Sequence, residues 1–438
     1  MRVGIIGSGA REHAIARALN RSPQKPHLYC LGSSRNPGII ELCNTYEVGN
    51  VPDVDTGVSF ARTYNLDFVV VGPEAPLANG ISDELWSANI PCIGPKKNLA
   101  KIETSKGFTR ELLRKYHIPG GPRFTFFNTL NGVQEFLDLL GNDFVVKYDG
   151  LMGGKGVKVS GEHLNSHEEA IAYCSELIDR RGSFVIEEKF TGEEFSLMSF
   201  CDGDHLAHMI PVQDHKRAFN SDTGPNTGGM GSYTDANHSL PFLSKYDIVA
   251  AQNINQDTAR ALKEEFGEGY KGILYGGFMA TEDGVKLIEY NARFGDPEAL
   301  NLLAVLESDF VALCISIIDG NLEQSQIVFQ PKATVCKYAV PNGYPEQPVK
   351  GKPIDVTNVK NRDQLYYASV DIEEKNLVET GSRTVAVVGI ADTITEAEKI
   401  AEKEIQAING PLFHRTDIGT PKLIRKRINH MASFRNKQ

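Results

Sequence analysis

The sequence lacks the features that would place it in several specialised classes of protein. No two cysteines are spaced as CxxC, so a zinc ribbon or a thioredoxin-like centre has no support. No uninterrupted apolar run reaches the ~18 residues that a membrane-spanning helix requires. Basic residues are fewer than acidic ones, 46 against 56, for a net charge of -10. This balance argues against binding nucleic acid through a general basic surface.

The chain opens with the strand-like residues Arg2–Gly7 rather than with a basic, apolar stretch, so we expect no targeting peptide. The seven cysteines are an odd number and widely spread, which is typical of reduced, mostly buried thiols. We therefore expect a cytoplasmic chain with no membrane partner. The sequence does not reveal the oligomeric state, and a monomer is compatible with it.

What the chain does have is an ordinary globular composition, with 41% hydrophobic and 23% charged residues. At ~150 residues per domain, a chain of this length suggests about three domains. Because the protein is acidic overall, an anionic ligand must be held by a few cations and backbone N–H groups concentrated in a cleft.

Residues 1–103 alternate short apolar strands with helical patterns, which predicts a parallel α/β domain. The expected strands are Val3–Ile6, His27–Leu31, Phe68–Val71 and Ile90–Ile93. Ligands bind such sheets at the carboxyl ends of the strands, where the turns Gly7–Gly9 and Gly72–Glu74 would lie.

Residues 104–330 predict a second, mixed α/β domain with a small lobe at about 120–192. We expect one buried helix at Asn301–Ile318 and a long functional loop at Asp214–Asp235. Residues 331–438 predict an α+β domain, in which Gln364–Glu373 is a strand. The fold class is thus α/β and α+β multidomain.

The amino-terminal turn carries Gly7, Gly9 and Arg11 between a strand and a helix, an arrangement that suits a single phosphate. A dinucleotide fingerprint would need a glycine in place of Glu12, so an oxidoreductase is the weakest candidate. A tight turn without a ligand stays a serious alternative. Glu74, between two prolines, could accept hydrogen bonds from ligand hydroxyls, although a plain rigid loop is the better interpretation of it alone.

A glycine turn at Gly150–Gly156 follows a strand that carries Lys147. It is not a Walker A loop, because Gly156 follows Lys155 and no helix comes next. We interpret it as a flap that closes over triphosphate oxygens, with Lys106 adding charge. The strand end at Glu187–Phe190 could bind adenine and Glu194 ribose, although an ordinary strand end is the better interpretation of this stretch alone.

The residues Glu289 and Asn291 lie two apart on a predicted strand, so both side chains point to one face. Two hard oxygen donors at this spacing suit Mg²⁺, with nucleotide phosphates completing its coordination. Arg293 continues on that face and could hold an anion. The loop from Gln213 to Gly231 has two cations and four glycines, which is typical of a segment that orders over a small ligand.

Taken together and in this order, these motifs resemble the ATP-grasp ligases and, within them, the family that joins glycine to phosphoribosylamine. The residues 222–231, with the sequence Asp-Thr-Gly-Pro-Asn-Thr-Gly-Gly-Met-Gly, carry the most specific part of the resemblance. It implies a preATP-grasp domain, a two-lobed ATP-grasp domain and a carboxy-terminal β-rich domain. It also implies that ATP, glycine and 5-phosphoribosylamine give glycinamide ribonucleotide, ADP and phosphate, with Mg²⁺ or Mn²⁺ as cofactor.

The resemblance further implies roles for individual residues. The metal ligands would be Glu289 and Asn291, and the catalytic residues Arg293, Lys216 and Asp214. ATP would contact Lys106, Lys147, Gly153, Gly154, Lys155, Gly156, Glu187, Glu188, Phe190 and Glu194. The other substrates would contact Gly9, Arg11, Glu74, Asn226, Thr227, Gly228, Gly229 and Asp296.

The chain departs from the family pattern mainly after residue 330, at Asn342, at Tyr367–Val370 and at Gly381–Arg383. Two alternatives therefore stay open. One is an ATP-grasp ligase for another acid and amine, and the other is a non-catalytic nucleotide-binding protein.

Overall fold

The amino-terminal part of the computed structural model, which describes residues 1–152, 156–324 and 327–435, is a parallel sheet covered by helices. Its strands are β1 (Arg2–Ile6), β2 (His27–Gly32), β3 (Thr45–Val48), β4 (Phe68–Val71) and β5 (Cys92–Ile93). Its helices are α1 (Ala10–Asn20), α2 (Pro37–Ile40), α3 (Val54–Thr63), α4 (Glu74–Asn79) and α5 (Ile81–Ser87). The strand order is β3-β2-β1-β4-β5, all parallel, which confirms the predicted α/β class.

The order of the strands reverses between β1 and β4, and sheets of this kind bind ligands at the carboxyl ends of the strands at such a switch point. The two turns that follow these strands approach each other closely. A Cβ placed on Gly7 would lie 2.9 Å from Cδ of Pro73, and the φ of Gly7 is +114°. Only glycine fits this turn, because other residues rarely adopt such a backbone conformation.

Two helices, α6 (Lys101–Thr104) and α7 (Lys106–Lys115), lead into a small lobe. This lobe contains β6 (Phe124–Phe127), α8 (Val133–Leu140), β7 (Phe144–Tyr148), β8 (Val157–Val159), α9 (His167–Asp179) and β9 (Phe184–Glu188). The sheet is antiparallel in the order β6-β9-β7-β8. The lobe has a hydrophobic core of its own, which includes Phe127, Leu137 and Phe184.

A larger antiparallel sheet of four strands follows. Its strands are β10 (Glu193–Asp202), β11 (Leu206–His208), β16 (Lys271–Thr281) and β17 (Gly284–Asn291). They lie in the order β11-β10-β16-β17. The accompanying helices are α10 (Lys245–Phe266), α11 (Glu298–Val305) and α12 (Phe310–Asp319). Ser244 caps α10 in a capping box with Asp247, and Gly267 ends it with a φ of 71°.

Residues 213–234 supply two strands to the carboxy-terminal sheet and form a separate two-stranded sheet between them. These residues form β12 (Gln213–Asp214), β13 (Arg217–Phe219), β14 (Thr223–Asn226) and β15 (Gly231–Thr234). Later elements are β18 (Ala333–Pro341), β19 (Leu365–Tyr367), β20 (Val370–Glu373), β21 (Asn376–Glu379), β22 (Val385–Ala391), α13 (Ile394–Ile405), β23 (Leu412–Phe413) and α14 (Pro421–Arg435). The main sheet runs β12-β15-β18-β22-β19, and β23 also pairs with β18. One continuous core underlies this sheet, the larger sheet and the amino-terminal sheet.

Three sequence-based expectations are wrong in detail. The expected loop Asp214–Asp235 contains four short strands, because its two halves pair with each other and with β18. The expected helix Asn301–Ile318 is interrupted, because Asp309 accepts a hydrogen bond from Val311 N and so starts a separate helix. The expected strand Gln364–Glu373 is two strands, since β19 pairs with β22 and β20 with β21.

Helix α14 has no counterpart in the sequence-based expectations. Pro421 at its start and the buried Leu423 and Met431, eight residues apart, were signals that could have indicated it. No helix in the described part of the chain is long and apolar enough to cross a membrane.

A buried ion pair joins the carboxy-terminal sheet to its helix. Lys337 on β18 is fully buried, and its Nζ lies 2.7 Å from Oε1 of Glu398 and 2.5 Å from Oε2 of Glu402, both on α13. It also donates to the carbonyl oxygen of Thr416. Removing one partner of a buried pair is costly because the remaining charges stay desolvated.

We therefore predict that Lys337→Met lowers the free energy of unfolding by about 4 kcal/mol. Lys332→Met is the matched control, since Lys332 pairs with Asp392 on the exposed surface and should change stability by less than about 1 kcal/mol. Urea unfolding followed by circular dichroism measures both. Equal stabilities of the two variants would contradict the prediction.

Candidate active site

The centre of the site lies at the end of β17, where Glu289 and Asn291 are both partly buried. The Glu289 carboxylate has no hydrogen-bond partner among the described residues, but three lysines surround it. Burial by itself would raise the pKa of Glu289, yet Lys216, Lys147 and Lys106 together hold this pKa below its usual value. Glu289 is therefore an ionised carboxylate in a cationic environment.

This pair of side chains fits a divalent cation. A carboxylate oxygen and an amide oxygen are hard donors of the kind that Mg²⁺ takes from proteins, with phosphates and waters supplying the rest. Within residues 1–152, 156–324 and 327–435 there is no cluster of three or more His, Cys, Asp or Glu side chains that could hold a metal. The donor set at Glu289 and Asn291 suits an ion that arrives with a nucleotide.

Lys147 reaches this centre from the small lobe through a buried ion cluster. Its ammonium pairs with Glu187 and donates to the carbonyl oxygen of Ile288 at 3.1 Å. Arg110 binds the same carboxylate through Nε at 2.8 Å and the same carbonyl through Nη2 at 2.6 Å. The Glu187 side chain, expected from sequence to contact ATP, thus holds Lys147 beside Glu289. Arg110 was missed by the sequence reasoning.

The glycine turn is held from the other side by α7. Asp149 accepts hydrogen bonds from Ser105 Oγ at 3.1 Å and from Gly107 N at 3.0 Å. Lys106 donates to the carbonyl oxygen of Gly150 at 3.1 Å. A Cβ on Gly156 would lie 3.0 Å from Cβ of Tyr148, so the turn folds closely on its strand. The predicted residues Gly153, Gly154 and Lys155 lie outside the described residues.

The other residues expected at the ATP site line the strand end. Glu188 turns away from the ion cluster and binds Arg123 Nε at 2.8 Å. Phe190 is half-buried. Glu194 is exposed and lies 3.2 Å from Nζ of Lys216. Glu194 is the main cause that raises the pKa of Lys216 above its usual value, while burial opposes it, so this lysine is firmly charged.

Arg293 lies between two carboxylates that come from earlier parts of the chain. Its Nε is 3.1 Å from Oε2 of Glu74, and its Nη2 is 3.2 Å from Oε1 of Glu103. Nη2 also lies 3.4 Å from Oδ1 of Asn291. Glu103, which the sequence reasoning missed, is buried and accepts a hydrogen bond from Ala292 N. Arg293 is therefore fixed beside the candidate metal ligand.

At the amino-terminal turn, Gly9 and Arg11 both donate hydrogen bonds to the side chain of Glu12 in α1. Gly9 N donates to Oε2 of Glu12 at 2.6 Å, and Arg11 Nε donates to Oε1 of Glu12 at 2.7 Å. Arg11 Nη1 also donates to the carbonyl oxygen of Phe294 at 3.2 Å. The structure thus brings Arg11 to the carbonyl oxygen that Arg293 also binds, and the contact of Arg11 with a phosphate stays a prediction.

Loop 214–231 contributes Lys216 and Asp214 to the site. Thr227 donates through N and Oγ1 to the carbonyl oxygen of Lys216, at 2.7 Å and 2.8 Å. Gly229 has a φ of +109°, and a Cβ there would lie 2.6 Å from Oδ1 of Asp214. Only glycine allows this approach. Burial above all, and then Glu298, raises the pKa of Asp214 well above its usual value, against Lys216 and Arg383.

The carboxy-terminal sheet supplies Arg383, noted in the sequence only as part of a departure from the family pattern. Its Nη1 donates to the carbonyl oxygens of Gly228 and Asp296, each at 2.6 Å. The predicted substrate residue Asp296 accepts a hydrogen bond from Tyr338 OH at 2.6 Å. Asn226 pairs with Arg217 in the ladder between β13 and β14. These side chains build the wall of the site.

Two α+β lobes supply lysines to one carboxylate–amide pair, Glu289 and Asn291. This arrangement defines the ATP-grasp class of ATP-dependent enzymes. Comparison with family models agrees and is more specific. The phosphoribosylglycinamide synthetase N domain matches residues 1–103, the ATP-grasp (A) domain of that family residues 104–299, and its C domain residues 334–421.

Individual proteins extend this similarity over the full length. A phosphoribosylamine–glycine ligase of Methanosarcina barkeri is 49% identical, covering 99% of this chain and 100% of the relative. The crystal structure of phosphoribosylamine–glycine ligase from Thermotoga maritima has a TM-score of 0.82 at 28% identity, covering 95% of this chain and 100% of that one. The chain belongs to the phosphoribosylglycinamide synthetase family.

A more distant neighbour shares the fold alone. The biotin carboxylase domain of a Hydrogenobacter thermophilus 2-oxoglutarate carboxylase, solved with MgADP, has a TM-score of 0.72 at 14% identity, covering 100% of this chain and 95% of that one.

The ion cluster at Lys147 generates a prediction about nucleotide binding. Lys147→Met removes a charge-assisted contact worth about 2 kcal/mol, so KM for ATP should rise about 30-fold. Lys158→Met is the matched control, because Lys158 lies on the neighbouring strand over the ring of Tyr173. Steady-state kinetics with varied ATP measures both. An unchanged KM in Lys147→Met would show that this lysine does not contact the nucleotide.

Proposed function

We propose that the protein joins glycine to 5-phosphoribosylamine at the expense of ATP, with glycyl phosphate as intermediate. The observation that carries this proposal is the Glu289–Asn291 pair, surrounded by lysines and adjoined by Arg293, in a chain of the phosphoribosylglycinamide synthetase family. The name of the M. barkeri relative supplies the substrate pair.

The chemistry requires activation of a carboxylate, which is by itself a poor electrophile. A glycine carboxylate oxygen attacks the γ-phosphorus of ATP, and the bond to the β–γ bridging oxygen breaks to release ADP. The phosphoribosylamine nitrogen then attacks the acyl carbon, and phosphate leaves as the nitrogen loses a proton. Both transfers depend on positioning and charge neutralisation rather than on a covalent side chain.

The residues divide between these tasks. Glu289 and Asn291 would hold the divalent ion, which supplies charge neutralisation at the phosphates when bound. Lys106 and Lys147, with Lys155 from the glycine turn, would contact the phosphates. We further propose Lys216, Asp214 and Arg293 at the reacting carboxylate, and Gly9, Arg11 and Glu74 at the phosphoribosylamine end of the crevice.

The remaining expectations are also part of this proposal. The glycine site would be bordered by loop 214–231, through Asn226, Thr227, Gly228 and Gly229. Asp296, which follows β17, would border it as well. We propose Mg²⁺ or Mn²⁺ as the metal and the cytoplasm as the location. All seven cysteines are free thiols in the structure, in keeping with a reducing compartment.

A product assay tests the function directly. Purified protein is given ATP, Mg²⁺, glycine and freshly generated phosphoribosylamine, and phosphate release is measured together with the mass of the product. We expect one phosphate per glycinamide ribonucleotide formed, and no product when either glycine or the amine is left out. Phosphate release with other acid–amine pairs but not with this pair would overturn the assignment.

The metal assignment generates a second prediction. Glu289→Gln removes the charged donor, so kcat should fall on the order of 100-fold or more, because a bound cation supplies several kcal/mol of transition-state stabilisation. Glu282→Gln is the matched control, since Glu282 is exposed in the turn before the same strand. Turnover is measured over a range of Mg²⁺ concentrations. Full turnover in Glu289→Gln would contradict the assignment.

A further inference from the structure

Loop 214–231 contains a strained point far from the metal ligands. Ser221 and Asp222 have φ values of 63° and 61°, and neither is glycine. Two successive residues in the left-handed region are unfavourable, so they persist only where surrounding contacts over-determine the backbone. These contacts come almost entirely from the carboxy-terminal end of the chain.

Three cations bind the Asp222 carboxylate. Its oxygens lie 3.0 Å from Nη2 of Arg415, 2.7 Å from Nη2 of Arg427 and 3.2 Å from Nζ of Lys426. Ser221 N donates to Oδ2 of Asp417 at 2.7 Å. Lys426 and Arg427 are on α14, beyond residue 421, where the C-domain family match ends.

Of these cations, Arg427 connects the loop to a second element of the site. Arg415 already binds Asp417 through Nε and Nη2, whereas Lys426 is more than half exposed. Arg427 is mostly buried, and its Nη1 lies 3.2 Å from Oε2 of Glu193, the first residue of β10. The next residue, Glu194, pairs with Lys216. Arg427 therefore touches the loop and the strand that between them hold Lys216.

Strand pairing within the loop connects Asp222 to the neighbourhood of Lys216. Phe219 pairs with Thr223 and Arg217 with Asn226, which makes a short ladder from Asp222 towards Lys216. At its other end, Thr227 binds the Lys216 carbonyl and Arg383 binds the Gly228 carbonyl. Both ends are thus held by residues of the carboxy-terminal part.

We propose that Arg427 on α14 is a positioning residue of the ligation reaction, which acts through Asp222 to hold loop 214–231 where Lys216 and Asp214 face the metal ligands. The inference deepens the proposed function, on which it rests, by assigning the carboxy-terminal helix a part in binding the amino acid substrate.

The first test separates positioning from stability by kinetics. Arg427→Ala should raise KM for glycine about tenfold, while KM for ATP stays close to that of the control. The melting temperature should fall, because Glu193 and Asp222 lose a mostly buried partner, so the ratio of the two KM values is the readout. The control is Arg425→Ala, an exposed arginine on the same helix with no ion pair among the described residues. Arg427→Lys, which keeps the charge without the two-pronged contact, should recover part of the loss.

A double-mutant cycle tests whether Arg427 acts through Asp222. Asp222→Asn alone should resemble Arg427→Ala, and the double variant should lose no more than the worse single variant. Additive losses of the two single variants in the double variant would overturn the proposal. An equal rise of KM for glycine and KM for ATP, with a lower melting temperature, would also overturn it, because a purely structural role predicts that result.

An activity-independent measurement distinguishes failure of this inference from failure of the proposed function. Amide hydrogen exchange of residues 217–229 without substrates should be faster in Arg427→Ala than in Arg425→Ala. If the wild-type protein does not ligate glycine but exchange is faster in Arg427→Ala, the proposed function is wrong, while the anchoring of loop 214–231 by Arg427 is retained. Equal exchange in the two variants overturns the anchoring whatever the activity.

Discussion

The arrangement of the site depends on the buried cluster in which one carboxylate, Glu187, faces two cations, Lys147 and Arg110. Burial lowers the pKa of Lys147 below its usual value, and the Glu187 carboxylate opposes this shift by favouring the charged form of the lysine. Both cations also bind the Ile288 carbonyl, the residue before Glu289. One ion cluster therefore ties the small lobe to the candidate metal ligand.

Two other cations of the site are also balanced by carboxylates. Arg293 is balanced by Glu74 and Glu103, and Lys216 by Glu194. Burial would lower the pKa of Arg293, but the two carboxylates raise it above its usual value. A chain with a net charge of -10 can thus assemble a local cationic pocket, since each cation is fixed by a partner rather than by a basic surface.

Sequence reasoning was effective where structure follows from local spacing. Glu289 and Asn291 were placed on one face of a strand because strand side chains alternate. Gly7 was placed in a turn between a strand and a helix, interpreted as a phosphate site with a tight turn as the alternative. Sequence reasoning was ineffective where a partner lies far along the chain. Arg110 meets Glu187 across 77 residues and Arg383 meets Gly228 across 155, and spacing contains no trace of either pair.

The chain's own pattern determined the parallel amino-terminal sheet, the glycine turn and the pair of candidate metal donors, because each follows from short-range periodicity or from backbone freedom at glycine. The tertiary structure alone decided that β12 and β15 join the carboxy-terminal sheet, and that Asp222 lies against Arg415 and Arg427. Strand pairing and ion pairs between distant segments depend on which surfaces folding brings together, and a linear pattern does not contain that information.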